Sequence, residues 1–145
     1  MATESGAATV SIVRITEENT DLLSNIADDV FDDPIAATYL NAYLNAAGHA
    51  LFVACMDGQV VGHIRGVVLH QPDTASNLFI DNLGVTPDLQ RRGIATQLFH
   101  ALSAWAKARG ATGMWVAAES DNEQAKAFYT ALGLKGAEMV YYEMD

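Results

Sequence analysis

The stretch LFIDNLGVTPDLQRRGIAT, residues 78–96, decides the fold that we predict for this chain. Its first part, residues 78–85, is mostly apolar and predicts a strand, and a turn at residues 86–88 separates that strand from a helix. Apolar side chains recur along one face of this helix, at Ile94, Leu98, Phe99, Leu102 and Trp105. The stretch therefore predicts a strand, a turn and an amphipathic helix in direct succession.

Two arginines, Arg91 and Arg92, fall at the predicted start of this helix. The positive end of a helix dipole prefers acids, so cations there weaken the helix unless an anion binds beside them. Gly93 lets another group approach the backbone closely, and the N–H groups of the first turn lack partners within the helix. The segment can therefore cradle a phosphate or a pyrophosphate. The alternative is a solvated helix start that merely carries two arginines.

The hexapeptide from Gln90 to Ala95 matches the Q/R-x-x-G-x-G/A signature, and the chain resembles the GNAT superfamily of N-acetyltransferases. The resemblance covers roughly residues 50 to 145 and includes a helix that carries Asn122 and Tyr129 at the family's positions. It implies the GNAT fold, an α+β arrangement in which helices flank a mixed, mostly antiparallel sheet. It also implies that the two middle strands of that sheet splay apart to admit acetyl-coenzyme A (acetyl-CoA).

The resemblance further implies the chemistry, which is acetyl transfer from acetyl-CoA to an amine, with no metal. Backbone groups of Leu83 and Val85 would pair with the pantetheine arm and polarise the thioester, and Asn122 would contact that arm. Tyr129 would donate a proton to the departing thiolate. The positions expected to bind the donor are Leu83, Gly84, Val85, Gln90, Arg91, Arg92, Gly93, Ile94, Ala95, Thr96, Asn122, Ala125 and Phe128.

The residue that would act as the base and deprotonate the amine has more than one candidate. Simple alternation places Asp81 on one face of its strand with Phe79 and Leu83, and a carboxylate there needs a partner or a wet cleft. Asp81 and Glu119 are the candidate bases, acting directly or through water. Alternatively, the acids only attract the protonated amine.

Charge points to a cationic partner. The formal net charge is −10, from eighteen acids against eight bases. This disfavours nucleic acid and favours cationic molecules, although acidity also serves solubility. Four acids crowd into residues 28–33, at the end of a helix predicted to carry an apolar stripe from Leu22 to Val30. Such a cluster is either a solvated face or a binding surface for a polycation.

The acid cluster and the 78–85 strand look similar to the aminoglycoside 3-N-acetyltransferases of the gentamicin-resistance type. That resemblance implies a cationic small-molecule amine as substrate, most simply an aminoglycoside. A polyamine, a protein amino group and a non-catalytic acyl-CoA sensor are the alternatives. The candidate substrate-binding residues are Asp32, Asp33, Asp81, Asn82, Glu119 and Asp121.

Length and composition predict one domain over residues 10–145 after a flexible N-terminus, residues 1–9. Apolar runs are too short to span a membrane and no signal sequence is evident, so we expect a cytoplasmic protein. Cys55, the single cysteine, is expected to pack in a strand, and His63 and His70 to serve packing or the surface.

Further elements follow from local signals. We expect a strand at 10–15, a helix at 35–46 opened by Pro34, and a hairpin of 51–56 with 59–69 around Asp57-Gly58. Gly62 and Gly66 suggest bulges or close backbone approach in its second strand. A capping box from Ser120 to Glu123 should start the last helix, and Gly133 should end it. Residues 137–144 predict a closing strand, whose free edge a second subunit would cover to give a homodimer.

Overall fold

A computed structural model describes residues 9–145, so residues 1–8 of the predicted flexible N-terminus lie outside the described part. The chain forms one five-stranded sheet in which spatial order follows chain order. Its neighbours pair antiparallel except for the last two strands, which are parallel. The strands are β1 (Ser11–Arg14), β2 (His49–Met56), β3 (Gln59–Leu69), β4 (Asn77–Val85) and β5 (Gly113–Val116).

Three α-helices flank the sheet: α1 (Ala37–Asn45), α2 (Ile94–Ala108) and α3 (Glu123–Ala131). Short 3-10 helices lie at Thr20–Ser24 and Pro87–Leu89. Helix α2 buries its predicted apolar stripe, including Leu98 and Leu102, against one sheet face. The other face packs under α1 and the chain before it. The predicted mixed sheet with flanking helices is therefore confirmed.

The β2–β3 hairpin forms where the sequence predicted it. Its turn residues Asp57 and Gly58 have φ angles of 52° and 78°. Positive φ at both central residues is the mark of a type I′ turn, whose twist matches that of the paired strands. The Asp-Gly pair therefore sets the β2–β3 register next to the turn, and a bulge between Ala54 and Cys55 shifts that register by one residue further along.

The predicted helix from Leu22 to Val30 is wrong. Only the 3-10 turn at Thr20–Ser24 forms, and Ile26 then makes a parallel bridge to Val60 at the start of β3. The Ala27 N–H donates to the Val60 carbonyl at 2.8 Å, so the backbone hydrogen bonds go to the sheet instead of to a helix. The acids of residues 28–33 consequently lie in turns, and the helix-dipole cost inferred for them does not arise.

Helix α1 is shorter than predicted and has a different start. Ala36 occupies its N-cap, so Pro34 precedes the helix instead of opening it. Tyr39, on this helix, projects into solvent with 78% of its surface exposed. Tyr43 does pack, and its hydroxyl donates to the carbonyl oxygens of Ala50 and Gly66 at 2.9 and 3.2 Å.

The predicted closing strand at residues 137–144 is not formed in the structure. The 135–145 segment has no strand partner among the described residues, and its side chains are exposed. The sheet thus ends at β5, whose outer edge is open in the described part of the chain.

Candidate active site

The parallel strands β4 and β5 separate partway along their length. They pair from Asn77 to Ile80 and from Gly113 to Val116, after which β5 ends and β4 continues to Val85. Within the described chain, residues 81–85 therefore lack a strand neighbour on the β5 side. The predicted splay is present, although it lies between the last two strands of the described sheet and not between a middle pair. Exposed strand backbone of this kind can pair with an extended ligand.

A bulge at Asp81 marks the point where the strands separate. Ile80 pairs with Gly66 and Asn82 with Arg65, so Asp81 is an extra residue in β4. The bulge reverses the alternation: Leu83 packs towards the α2 core, on the same side as Ile80. Simple alternation, which placed Asp81 and Leu83 on one face, was therefore wrong beyond the bulge.

Glycines are required on both sides of this bulge. A β-carbon at Gly66 would lie 2.7 Å from the Phe79 carbonyl oxygen, and one at Gly84 would collide with the Val30 carbonyl oxygen. The predicted close approach at Gly66 is confirmed. Gly84 allows the acid-bearing turn after Asp29 to lie directly on β4, and its predicted contact with the donor stays a prediction.

The predicted anion site lies at the start of α2. Gly93 is the N-cap with φ 81°, Arg91 has φ 66°, and both arginines are exposed. The sequence placed the two arginines at the start of the helix. In the structure they precede it, because the helix begins at Ile94. The N-cap makes no side-chain hydrogen bond to the helix, so the first-turn N–H groups, including those of Ala95 and Thr96, remain available to an anion.

Gln90 ties this loop to its surroundings. Its Nε2 donates to the Val85 carbonyl at 3.0 Å, and its Oε1 accepts from Gln124 Nε2 at 3.2 Å. The side chain thus links the end of β4 to α3 across the splay. The Val85 carbonyl already accepts this hydrogen bond from Gln90. The backbone N–H of Val85 is therefore the group that an extended ligand would use.

Helix α3 forms the far wall of the splay. Asn122, not Ser120, is its N-cap, and the Asn122 Oδ1 accepts from the Ala125 N–H at 3.0 Å. The predicted capping box is therefore wrong, because the helix starts two residues later. Gly133 follows the helix with φ 94°, as predicted for its C-terminal end.

Tyr129 and Phe128 lie on the same helix with different surroundings. Phe128 packs edge-on against Phe99, with ring centroids 6.5 Å apart, and so belongs to the α2 core. Tyr129 is half-buried, and burial raises the pKa of its hydroxyl. A phenol that stays protonated at neutral pH is suited to donate a proton.

A cleft of about 360 Å³ opens on the α1 side of the sheet, beside the bulge. Residues 31–36 and α1 line one wall, and Arg65 and Asp81 lie on the other. The Asn82 Nδ2 lies 3.5 Å from Asp32 Oδ2. The structure thus brings together four candidate substrate-binding residues from distant parts of the chain: Asp32, Asp33, Asp81 and Asn82.

Arg65 and Asp81 form an ion pair at this cleft. Arg65 Nε lies 2.8 Å from Asp81 Oδ2, and the two side chains are 32% and 43% exposed. The pair fixes the carboxylate while leaving its Oδ1 outside that hydrogen bond. Sequence reasoning missed Arg65, although a lone cation within the apolar run VVGHIRGVVL was a usable signal.

Glu119 and Asp121 are not part of this cleft. Both lie exposed in the loop between β5 and α3, where their carbonyls accept hydrogen bonds from Asn122 and Glu123. The acids proposed from sequence therefore separate into two groups. The base and substrate roles predicted for Glu119 and Asp121 stay predictions.

His63 lies beneath the cleft wall and is fully buried. Its ring stacks on Phe31 with centroids 3.9 Å apart, and neither ring nitrogen has a hydrogen-bond partner in the described part of the chain. Burial lowers the pKa of His63 to about 3, so the ring is neutral. The expected packing role is confirmed, and His70 lies at the surface with its Nδ1 2.6 Å from Ser76 Oγ.

Nowhere among residues 9–145 do three or more His, Cys, Asp or Glu side chains converge in a way that could hold a metal ion. Within the same residues, every helix is too short or too polar to cross a membrane.

The chain matches the model of the GNAT acetyltransferase family over residues 14–134. Its sequence is 27% identical over 103 residues to the aminoglycoside N(6′)-acetyltransferase type 1 of Salmonella typhimurium, covering 68% of this chain and 71% of that protein. It is 35% identical over 79 residues to the protein of the same name from Acinetobacter genomosp. 13, covering 54% of each.

A solved structure of aminoglycoside N-acetyltransferase AAC(6′)-Iy in complex with CoA has the same fold. It superimposes with a TM-score of 0.79 and 21% identity, over 97% of both chains. The likeness and the family match together show that the splayed sheet is the GNAT fold.

Proposed function

This chain belongs to the GNAT family of acetyltransferases and is an acetyl-CoA-dependent N-acetyltransferase, and we propose that its acceptor is an aminoglycoside. The observation that supports this acceptor most directly is the meeting of Asp32, Asp33 and Asp81 at one cleft beside the splayed end of β4. The names of the relatives support the same substrate class.

The residues present fit acetyl-CoA. Exposed Arg91 and Arg92 and the uncapped start of α2 match a pyrophosphate, which is dianionic and accepts hydrogen bonds from backbone N–H groups. A β-carbon at Gly93 would meet no described atom within 4 Å, so the loop has open space before it. The unpaired stretch of β4, residues 81–85, would hold the pantetheine arm by backbone hydrogen bonds.

The acceptor cleft fits a polycation in size and charge. Its volume of about 360 Å³ lies within the usual range for small-molecule sites. Three carboxylates face it against the single cation of Arg65, which leaves an excess of negative charge. Several ammonium groups on one rigid ligand would each gain from this charge, whereas a ligand with a single ammonium group would gain only once.

Acetyl-CoA supplies the activated acetyl group, and the chain's residues handle the protons and the orientation. Asp81 would hold the attacking amine and receive its proton directly or through water. A C–N bond forms and the C–S bond breaks, and Tyr129 would protonate the leaving thiolate. The alternative to a base role for Asp81 is that the acids only attract the ammonium group.

The proposed acceptor carries several amines, and one of them must be the group that is acetylated. The relatives compared above are 6′-type enzymes, which favours the 6′-amine as the acceptor group. The 3-amine, predicted from sequence, is the alternative. Nuclear magnetic resonance of the product from kanamycin or gentamicin would assign the acetylated nitrogen.

The deciding experiment measures CoA release with a thiol reagent on a panel of kanamycin, gentamicin, spermidine and a lysine peptide. We expect turnover on an aminoglycoside to exceed that on the other amines. Asp32→Asn with Asp33→Asn should raise KM for the aminoglycoside and leave KM for acetyl-CoA unchanged. Turnover confined to spermidine or to the peptide would replace the proposed acceptor, and an unchanged aminoglycoside KM would remove the two aspartates from the site.

A further inference from the structure

The lining of the cleft beside the Asp81 bulge is divided between charged and apolar side chains. The charged groups are three aspartates and Arg65. The other lining side chains are apolar or aromatic, and all except Leu51 come from residues 31–36 or from α1. A ligand that fits this cleft therefore offers apolar surface as well as positive charge.

Tyr39 is the aromatic lining residue that contributes least to the fold. Its side chain is 78% exposed, whereas Leu40, Tyr43 and Leu44 of the same helix pack against the core beneath α1. Alanine has a higher helix propensity than tyrosine, so α1 does not need an aromatic residue at position 39. The ring of Tyr39 is therefore free to serve a ligand in the cleft.

Helix α1 holds Tyr39 at a fixed place on the rim of the cleft. Tyr43 lies one helical turn further along on the same face, and its hydroxyl donates to the Gly66 carbonyl on β3 at 3.2 Å. Gly66 in turn pairs with the residue before Asp81. The backbone that carries Tyr39 is thereby tied to the strands that carry the acidic bulge. A tyrosine side chain has only two torsions to order when a ligand binds, so the entropy cost of using it is small.

A cyclic amino sugar has the chemistry that matches this combination. Its faces carry C–H groups, and its amino and hydroxyl groups project mainly from its edge. Packing one face on an aromatic ring takes apolar surface of both partners out of water and leaves the amino groups free to reach the carboxylates. A linear polyamine has no such face, and it loses more rotational freedom when it is held in one conformation.

We propose that the exposed ring of Tyr39 is the surface on which a sugar ring of the acceptor packs, and that this contact makes the site prefer a cyclic polycation to a linear one. The proposal rests on the aminoglycoside acceptor proposed above and assigns a specificity-determining residue within that site. The carboxylates attract any polycation, whereas Tyr39 distinguishes ligands by their shape.

Calorimetric titration of kanamycin and of spermine into the CoA-bound protein tests the proposal, because spermine is linear and carries as many amino groups as kanamycin. Tyr39→Ala should raise the Kd for kanamycin about tenfold, since on the order of 60 Å² of apolar contact is lost. Tyr39→Phe keeps the ring and should bind kanamycin as the wild type does. Because a linear ligand makes little use of the ring, Tyr39→Ala should change the Kd for spermine by less than about twofold.

Thr38→Ala is the matched control, because Thr38 is exposed on the same turn of α1 and does not line the cleft. It should leave both dissociation constants unchanged. Three results would overturn the role of Tyr39: unchanged kanamycin affinity in Tyr39→Ala, a loss in Tyr39→Phe as large as that in Tyr39→Ala, or equal losses for kanamycin and spermine. Each of them would leave the acceptor proposal standing, since the wild type would still bind and acetylate kanamycin. A wild-type protein that neither binds nor acetylates kanamycin would instead refute the acceptor itself, and the role of Tyr39 with it.

Discussion

Replacing Asp81 with asparagine separates the carboxylate's role towards the acceptor from its role in the ion pair with Arg65. Asparagine keeps the size and one oxygen of the side chain but removes its charge. The bulge that presents residue 81 to the cleft is set by the β3–β4 pairing and should persist. The variant therefore changes the electrostatics of the cleft more than its shape.

The geometry sets the size of the expected effect. A carboxylate and an ammonium group about 4 Å apart attract by about 4 kcal/mol at an effective dielectric constant near 20. Because the Asp81 side chain is 43% exposed, we take about half of this, or about 2 kcal/mol. That corresponds to a fall in kcat/KM of roughly 30-fold. The Arg65 charge, no longer neutralised, adds to the loss by repelling the acceptor.

The assay is CoA release with a saturating donor and a varied aminoglycoside. Arg65→Met is the matched control, because it breaks the same ion pair and keeps the carboxylate. For this partly exposed pair, we expect both variants to lose less than about 1 kcal/mol of folding free energy. Only Asp81→Asn should lose most of its kcat/KM. Equal losses in the two variants, or a loss below threefold for Asp81→Asn, would refute the assigned role.

Three other predictions test the remaining parts of the site. Tyr129→Phe should lower kcat about 100-fold with little change in CoA affinity. Because burial raises the pKa of Tyr129, any alkaline fall in wild-type kcat from this group should lie above the range in which an ordinary phenol titrates. Arg91→Ala with Arg92→Ala should weaken CoA binding about tenfold or more by calorimetry, and unchanged affinity would displace the pyrophosphate from this loop. The pKa of about 3 for His63 lies below its unfolded value near 6.5, so its contribution to stability is complete above pH 6.5 and is lost as pH falls towards 3. In urea titrations at pH 7 and pH 5, the wild type should therefore lose about 2 kcal/mol more than His63→Leu, and parallel losses would contradict the neutral, buried histidine.

Local signals predicted the elements whose stabilising contacts lie close in sequence. The Asp57-Gly58 pair is sufficient for a type I′ turn, so the hairpin and its pairing next to the turn followed directly. The 3.6-residue spacing from Ile94 to Leu102 was sufficient for α2, because one continuous apolar stripe faces one sheet. The family signature before α2 could be read from the sequence for the same reason: its residues are contiguous, and the family match covers them.

Predictions failed where distant backbone competes with local preference. The apolar spacing from Leu22 to Val30 favours a helix. However, β3 forms backbone hydrogen bonds with Asn25 and Ala27, so this segment pairs with the sheet and no helix forms. The Asp81 bulge was equally invisible, because it depends on how Arg65 and Gly66 pair across the β3–β4 interface. Neither the missing helix nor the bulge is signalled by the local sequence of the segment in which it occurs.

The sequence by itself determined the family, the loop that carries the family signature, the hairpin and the acidity that favours a cationic acceptor, because each resides in a contiguous motif or in total composition. Only the tertiary structure decided which acids share a cleft. It joined Asp32 and Asp33 to Asp81 by laying their turn on Gly84, and it left Glu119 and Asp121 elsewhere. The physical reason is that strand pairing and close backbone packing set which charged side chains meet. The residues involved can lie some fifty positions apart, as at the Asn82–Asp32 contact. Local sequence does not encode those distances.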